Sequence, residues 1–281
     1  MTDIQTRLIS ALTPRYGAGE ARAIARIVWE DAFDFGRKPD PELLDRIEAR
    51  LLQGEPVQYV LREADFFGLK FLVNPSVLIP RQETEELVAW VLEWLKNVYE
   101  TPIKLIDIGL GSGCIGITVQ KKQPALELWG IDKSEAALET ARQNASRLLP
   151  GKTVHLLHAD ILNRLDWAKL PQASVIVSNP PYIPFTEQHL VPEHVAAHEP
   201  GMALFVEDAD PLLFYRTIAA FAREKLLPGG ALFFECNEFN ASEVVQLLQD
   251  QGFSKVELRK DLAGAERMVM GELPTPESPN P

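Results

Sequence analysis

Apolar residues recur at helical spacing through the first sixty positions. Ile4, Leu8 and Leu12, then Ala21, Ile24, Ala25, Val28 and Trp29, then Leu43, Leu44, Ile47 and Leu51 each fall on one helical face. Residues 1–64 are therefore expected to form a small helical domain. The pattern changes at Asp65, where Asp65-Phe-Phe-Gly-Leu-Lys-Phe-Leu-Val73 sets a glycine between β-type residues and Asn74-Pro75 breaks the chain. This predicts a hairpin, and residues 65–80 are expected to link the helices to a larger domain, 81–273. There helix Glu83–Val98 precedes a strand from Lys104, an apolar stretch Cys114–Val119, strand Leu126–Ile131, helix Glu135–Leu148 capped by Ser134, and strands Thr153–Leu157 and Ala173–Ser178. Alternating strands and helices of this kind predict an α/β fold with a mostly parallel sheet. Ile183–Asp208 reads as a long loop, and loops of that length in compact domains are usually functional or disordered. Helix Pro211–Leu226, strand Gly229–Glu235, helix Ala241–Gln251 and strands Lys255–Arg259 and Arg267–Gly271 follow, and the last three elements predict an antiparallel edge. Pro274–Pro281, rich in proline, is expected to be a flexible tail.

The chain has 281 residues, of which 46% are hydrophobic, enough to fill a core and more than one typical domain needs. Its net charge of −12 opposes a direct nucleic-acid substrate, because proteins that bind phosphates generally carry excess Lys and Arg. Cys114 and Cys236 lie in apolar stretches without metal-ligand spacing, so both read as buried free thiols suited to a reducing cytoplasm, and no metal site is expected. No signal-like leader occurs, and no apolar run approaches the roughly 20 residues that span a bilayer. A cytoplasmic location away from membranes is the expectation.

Candidate chemistry concentrates after the strands. The first runs through Asp107 into Gly109, Leu110, Gly111, Ser112 and Gly113, a loop whose glycines permit sharp turns and close approach of a ligand. Gly111, Gly113 and Gly116 also satisfy the dinucleotide fingerprint G-x-G-x-x-G, a weak match by itself. Asp132, ending the second strand, is placed for ribose hydroxyls of any adenosine ligand. Asp107 separates the options by sign: a carboxylate beside the loop repels a pyrophosphate and suits the ammonium group of S-adenosylmethionine, with a helix cap as the alternative. Asp160 and Ile161 are placed to flank an adenine, Asp160 being equally suited to a cap. The fourth strand delivers Asn179-Pro180-Pro181-Tyr182. Two prolines hold this corner nearly rigid, so the Asn179 side chain and the Pro180 carbonyl present two fixed oxygens to one NH2 group, with Tyr182 as an aromatic wall. For Arg81, anchoring a cofactor carboxylate and forming a structural ion pair are both open.

These residues, together with Gly54-Glu-Pro-Val-Gln-Tyr59, Leu78-Ile-Pro-Arg-Gln-Glu-Thr-Glu85, His198-Glu-Pro200 with Ala203-Leu204, and Asp261-Leu-Ala-Gly264 with Arg267, resemble the protein-(glutamine-N5) methyltransferases over nearly the whole length. The resemblance implies a Rossmann-like S-adenosylmethionine-dependent methyltransferase domain behind a helical domain that recognises the substrate. It also implies class 1 peptide chain release factors as partners, modified on the glutamine of a Gly-Gly-Gln loop. Asn-Pro-Pro-Tyr alone is shared with amino-methyltransferases of adenine and cytosine, which remain the rival enzyme class; a non-catalytic adenosine-binding scaffold is the rival of another kind. Three departures stand out: Arg62 where the family usually has glycine, Gln82 where proline is common, and Glu235-Cys-Asn-Glu-Phe in place of the usual Glu-Ile-Gly run.

Overall fold

The computed structural model describes residues 2–33, 40–98 and 102–275. Helix α1 (Asp3–Val28) opens with a capping box in which the Thr2 hydroxyl accepts from Gln5 N and the Gln5 side chain accepts from Thr2 N. Gly17, at φ +77° and ψ 162°, breaks it into two stretches, one for each of the first two apolar faces. Asp40 caps α2 (Pro41–Leu52), which has proline at its first position, and α3 (Val57–Leu61) follows. Leu8, Leu12, Ala25, Val28 and Leu51 form the centre of this bundle's core. Arg62 ends α3 in the left-handed region, φ +61°. Strands β1 (Glu63–Phe66) and β2 (Leu69–Leu72) pair antiparallel around Phe67 and Gly68, both at positive φ, the geometry of a two-residue turn that matches strand twist. The predicted hairpin is present and starts two residues before Asp65. Phe67 is an unfavourable residue there, and its N–H is held by Glu85 Oε1 at 2.7 Å.

The remainder comprises α4 (Gln82–Leu95), β3 (Lys104–Ile108), α5 (Cys114–Lys122), β4 (Glu127–Asp132), α6 (Glu135–Leu148), β5 (Val154–His158), β6 (Ala173–Ser178), β7 (Ile183–Pro184), α7 (Glu193–His198), α8 (Gly201–Leu204), β8 (Phe205–Val206), α9 (Leu213–Lys225), β9 (Leu226–Glu235), α10 (Ala241–Asp250), β10 (Ser254–Lys260) and β11 (Glu266–Glu272). Seven strands form one sheet in the order β10-β11-β9-β6-β3-β4-β5. Side chains alternate between its faces. Ile106, Ile108, Ile176, Leu232 and Phe234 pack with α9 and α10, whereas Leu105, Val175, Val177, Ala231 and Phe233 pack with α4 and α5. Both faces are thus covered, as parallel strands with continuous apolar runs require.

The expected antiparallel edge is present: β11, inserted between β9 and β10, opposes both, while β9 runs parallel to β6. One expectation needs correction. The segment 183–208 is not an open loop. β7 and β8 pair in parallel, short helices fill the interval, and Phe185 stacks on Phe205 with ring centroids 5.5 Å apart. Leu273, just before the expected tail, pairs with Gly230, and residues 276–281 of that tail lie outside the described residues.

Candidate active site

A cavity with about 1110 Å³ of open space lies beyond the carboxyl ends of β3, β4 and β6, where the strand order reverses. Its wall includes Arg81, Gly109, Leu110, Gly111, Ser112, Asp132, Asp160, Ile161, Asn179, Pro180 and Pro181. The glycine loop is built by left-handed backbone at Gly109 (φ +71°), Gly111 (+56°) and Gly113 (+81°), which only glycine adopts without cost. Gly109 N and Leu110 N both donate to the Ile131 carbonyl at 3.0 Å, tying the loop to β4. A Cβ added at Gly109 would have no atom within 4 Å, and one at Gly111 would have only the Gly109 carbonyl, so each would stand in the cavity's open space. Gly113 does not border the cavity; it caps α5, and a Cβ there would lie 2.6 Å from Ile117 Cδ1.

Asp132 is oriented from both sides. Gly111 N donates to its Oδ2 at 2.9 Å and Ser134 N to its Oδ1 at 2.8 Å, which draws its pKa down, while burial, the larger effect, pushes it up. Asp160 accepts from Leu162 N at 2.9 Å within a turn and pairs with Lys133 Nζ, also at 2.9 Å, beside Ile161 in the wall; it caps no helix, since Asn163 caps the short helix that follows.

Asp107 departs from the expected role. Strand parity puts it on the same sheet face as Leu105, behind the loop, where it is 1% exposed and does not border the cavity. Its Oδ2 accepts from Gly116 N at 2.9 Å, so the helix-capping alternative is the one realised. Burial pushes its carboxyl up to about 7. Gly116 is the residue that lets α5 approach: a Cβ there would meet Leu128 Cδ1 at 2.6 Å and Asp107 Oδ2 at 3.0 Å.

The proline corner follows β6, whose six residues are all buried. Asn179 Nδ2 donates to Thr84 Oγ1 at 3.4 Å, and Thr84 Oγ1 donates to Glu235 Oε2 at 2.6 Å. Tyr182 is not part of the cavity wall. It turns onto the α9 side of the core near Arg267 and Glu235, where burial raises its hydroxyl well above the usual tyrosine range. Arg81 borders the cavity and forms the structural ion pair: its Nη2 meets Glu199 Oε1 at 2.6 Å, and Glu199 Oε2 accepts from Ile79 N at 3.0 Å. Cys236 is fully buried, whereas Cys114 is half-buried and lines the cavity, contrary to its expected burial. His198 is half-exposed, its Nδ1 3.0 Å from the His194 carbonyl.

Thr84, Glu235 and Lys133 belong to the site without being candidates in the sequence analysis. Thr84 lies within the segment 78–85 that carries the resemblance, and Glu235 ends a buried strand with a carboxylate as Asp132 does, so signals for both exist. The methyltransferase small domain family model matches residues 89–198. A release factor glutamine methyltransferase of Flavobacterium psychrophilum is 39% identical over 279 residues, covering 94% of this chain and 96% of its own. Another, of Bacteroides thetaiotaomicron, is 40% identical over 228 residues, covering 80% and 79%. A methyltransferase structure from Pyrococcus furiosus shares the fold with a TM-score of 0.51 at 17% identity, over 81% of this chain and 98% of that one. Similarity along almost the full length of a curated relative means that this chain belongs to the release factor glutamine methyltransferases.

Proposed function

We propose that this protein transfers the methyl group of S-adenosylmethionine to the side-chain amide nitrogen of the glutamine in the Gly-Gly-Gln loop of class 1 peptide chain release factors, acting in the cytoplasm. The cavity fits the cofactor on its own chemistry. Open space at Gly109 and Gly111 forms a cradle that a Cβ would fill, Asp132 offers carboxylate lone pairs for ribose hydroxyls, and Asp160 and Ile161 offer an acceptor and an aliphatic face for adenine. Arg81, paired with Glu199, keeps the opposite wall in place.

When bound, S-adenosylmethionine supplies an electrophilic methyl group on a positively charged sulfur. The residues then have to place a poor nucleophile. An amide nitrogen shares its lone pair with its carbonyl, and two acceptors on its N–H bonds favour the state in which that pair turns toward the methyl. The Asn179 amide oxygen and the Pro180 carbonyl are those acceptors. Neither is a base at neutral pH, so their contribution is orientation, by which well-oriented reactants gain on the order of 7 kcal/mol or more, and the proton that the methylated nitrogen must shed passes to solvent. The helical residues 1–64 hold the release factor, and residues 81–273 carry the chemistry.

The observation that carries this reading is that Asn179 and Pro180 border the same cavity as the glycine loop and Asp132. Its test is incubation with radiolabelled S-adenosylmethionine and, in parallel, a release factor, its loop Gln→Ala variant, and duplex DNA or RNA. Label is expected on the intact factor alone. Label on nucleic acid, or equally on the Gln→Ala factor, overturns it. Asn179→Ala is expected to abolish turnover while cofactor affinity persists.

A further inference from the structure

An asparagine amide has nearly the same shape either way round, but its two ends differ in hydrogen-bonding sense. Asn179 accepts from a substrate NH2 group only with its oxygen toward the cavity. Reversed, it would set its own N–H donors against those of the substrate. Something must therefore fix which end faces out.

Three elements meet behind Asn179. Thr84, on α4, and Glu235, at the end of β9, are each 2% exposed. The spacing of α4 and β9 is set by the core, where Trp90 and Trp94 pack edge-on against Phe233 with centroids 5.5 and 6.1 Å apart. Thr84 has one hydroxyl proton, and the 2.6 Å contact gives it to Glu235 Oε2. Its Oγ1 then offers only lone pairs toward Asn179, so the Asn179 NH2 end must turn inward to meet it, at 3.4 Å. An ionised carboxylate cannot donate, and that makes it the directional end of the chain; a neutral amide in its place could run the chain either way.

We propose that Glu235 and Thr84 are positioning residues that fix the orientation of the Asn179 amide and thereby create the acceptor half of the site, an inference that rests on the methyl-transfer reading above. Neither needs to touch the substrate for this. Protonation of Glu235 removes the direction. Burial raises its carboxyl to about 7 against the pull of Thr84 and Asn179 and of the nearby Arg267 on β11, with Glu83 on α4 acting upward and the Tyr182 hydroxyl and Cys236 thiol also close. The chain is set in one sense above that value and slackens below it.

The experiment is steady-state methylation of a release factor by wild type, Thr84→Val, Thr84→Ser and Glu235→Gln, with cofactor binding measured by calorimetry. Thr84→Val is expected to lower kcat by about tenfold or more, the effect of one misdirected hydrogen bond to a reacting group, with the cofactor Kd within about twofold of wild type. Thr84→Ser, which keeps the hydroxyl, recovers kcat. Glu235→Gln lowers kcat and removes the wild-type loss of activity below about pH 7. The proposal is overturned if Thr84→Val keeps kcat within about twofold, if Thr84→Ser is as impaired as Thr84→Val, or if Glu235→Gln retains the acid limb. Should Thr84→Val not fold, Glu235→Gln decides: loss of the acid limb supports the proposal and its retention overturns it. Wild type that labels no release factor refutes the methyl-transfer reading instead, a distinct result.

Discussion

Replacing Asp107 with asparagine tests how the glycine loop is braced. Asp107 is 1% exposed, Gly116 N donates to its Oδ2, and among the described residues Oδ1 has no hydrogen-bond partner. Burial raises this carboxyl from the ordinary value near 3.8 to about 7. The folded state therefore binds the proton more tightly than the unfolded state. Stability from this group is full below about pH 4 and is lost as pH rises through about 7. Between pH 5 and pH 8 the two states differ by one proton over roughly two pH units; at about 1.4 kcal/mol per unit the loss is about 3 kcal/mol. Asparagine does not titrate. Its oxygen can keep the Gly116 bond while its NH2 group lies buried without a partner, a cost of about 1–3 kcal/mol that is the same at every pH. Urea unfolding of both proteins at pH 5 and pH 8 separates the effects. Glu235 is raised in the same sense, while the exposed Glu93 and the half-buried Asp166 are lowered beside Arg259 and Lys169; all occur in both proteins and cancel. Wild type is expected to lose about 3 kcal/mol more than Asp107→Asn across this range. Equal losses, to within about half a kcal/mol, would mean that Asp107 titrates normally and would refute the account.

Asp132→Ala removes a charged acceptor worth about 1.5–3 kcal/mol, so cofactor Kd should rise about ten- to a hundredfold by calorimetry; an unaltered Kd rules out the ribose role. Arg62 sits at φ +61°, and Arg62→Gly relieves left-handed strain of about 1–2 kcal/mol against an entropy cost of about 0.5–1. A melting temperature unchanged or higher is expected, and a clear fall contradicts the strain. Gln82 is the first residue of α4, and Arg81 before it is extended at φ −104° and ψ 153°, a geometry that tolerates a following proline. Gln82→Pro should leave stability within about 0.5 kcal/mol or raise it, and a loss above about 2 kcal/mol would show that the Gln82 N–H is needed. Glu199→Ala frees Ile79 N and Arg81 and should cost about 2–3 kcal/mol on denaturation while raising KM for the release factor; an unchanged KM would show that this ion pair does not shape the substrate site.

Local rules carried much of the fold. Helix α6 and strand β6 have the bounds that the Ser134 cap and the apolar run Ala173–Ser178 predict, and all three loop glycines adopt the left-handed backbone their spacing calls for. The covered position of Asp107 is legible in the chain, because period-two alternation from Leu105 puts it on the α5 face, away from the cavity. Other features depend on pairings distant in sequence. Arg81 and Glu199 are 118 residues apart, and Thr84 and Glu235 are 151 apart, so no window of sequence joins them. Tyr182 packs against the core cluster on the α9 side of the sheet, a contact that the prolines before it do not specify. Residues 183–208 carry no sustained apolar period, because their short elements are held by contacts such as Phe185 on Phe205 and not by one buried face.

The Glu199 carboxylate has a consequence for how this protein can vary. It bonds Ile79 and Arg81 on one side of the cleft while belonging to the segment that follows the proline corner on the other. Drift in that segment to suit a different protein substrate would pull on the backbone beside the cofactor's berth. Retuning for a new partner and tightening the grip on the methyl donor are thus mechanically linked, and the two traits would be inherited as one.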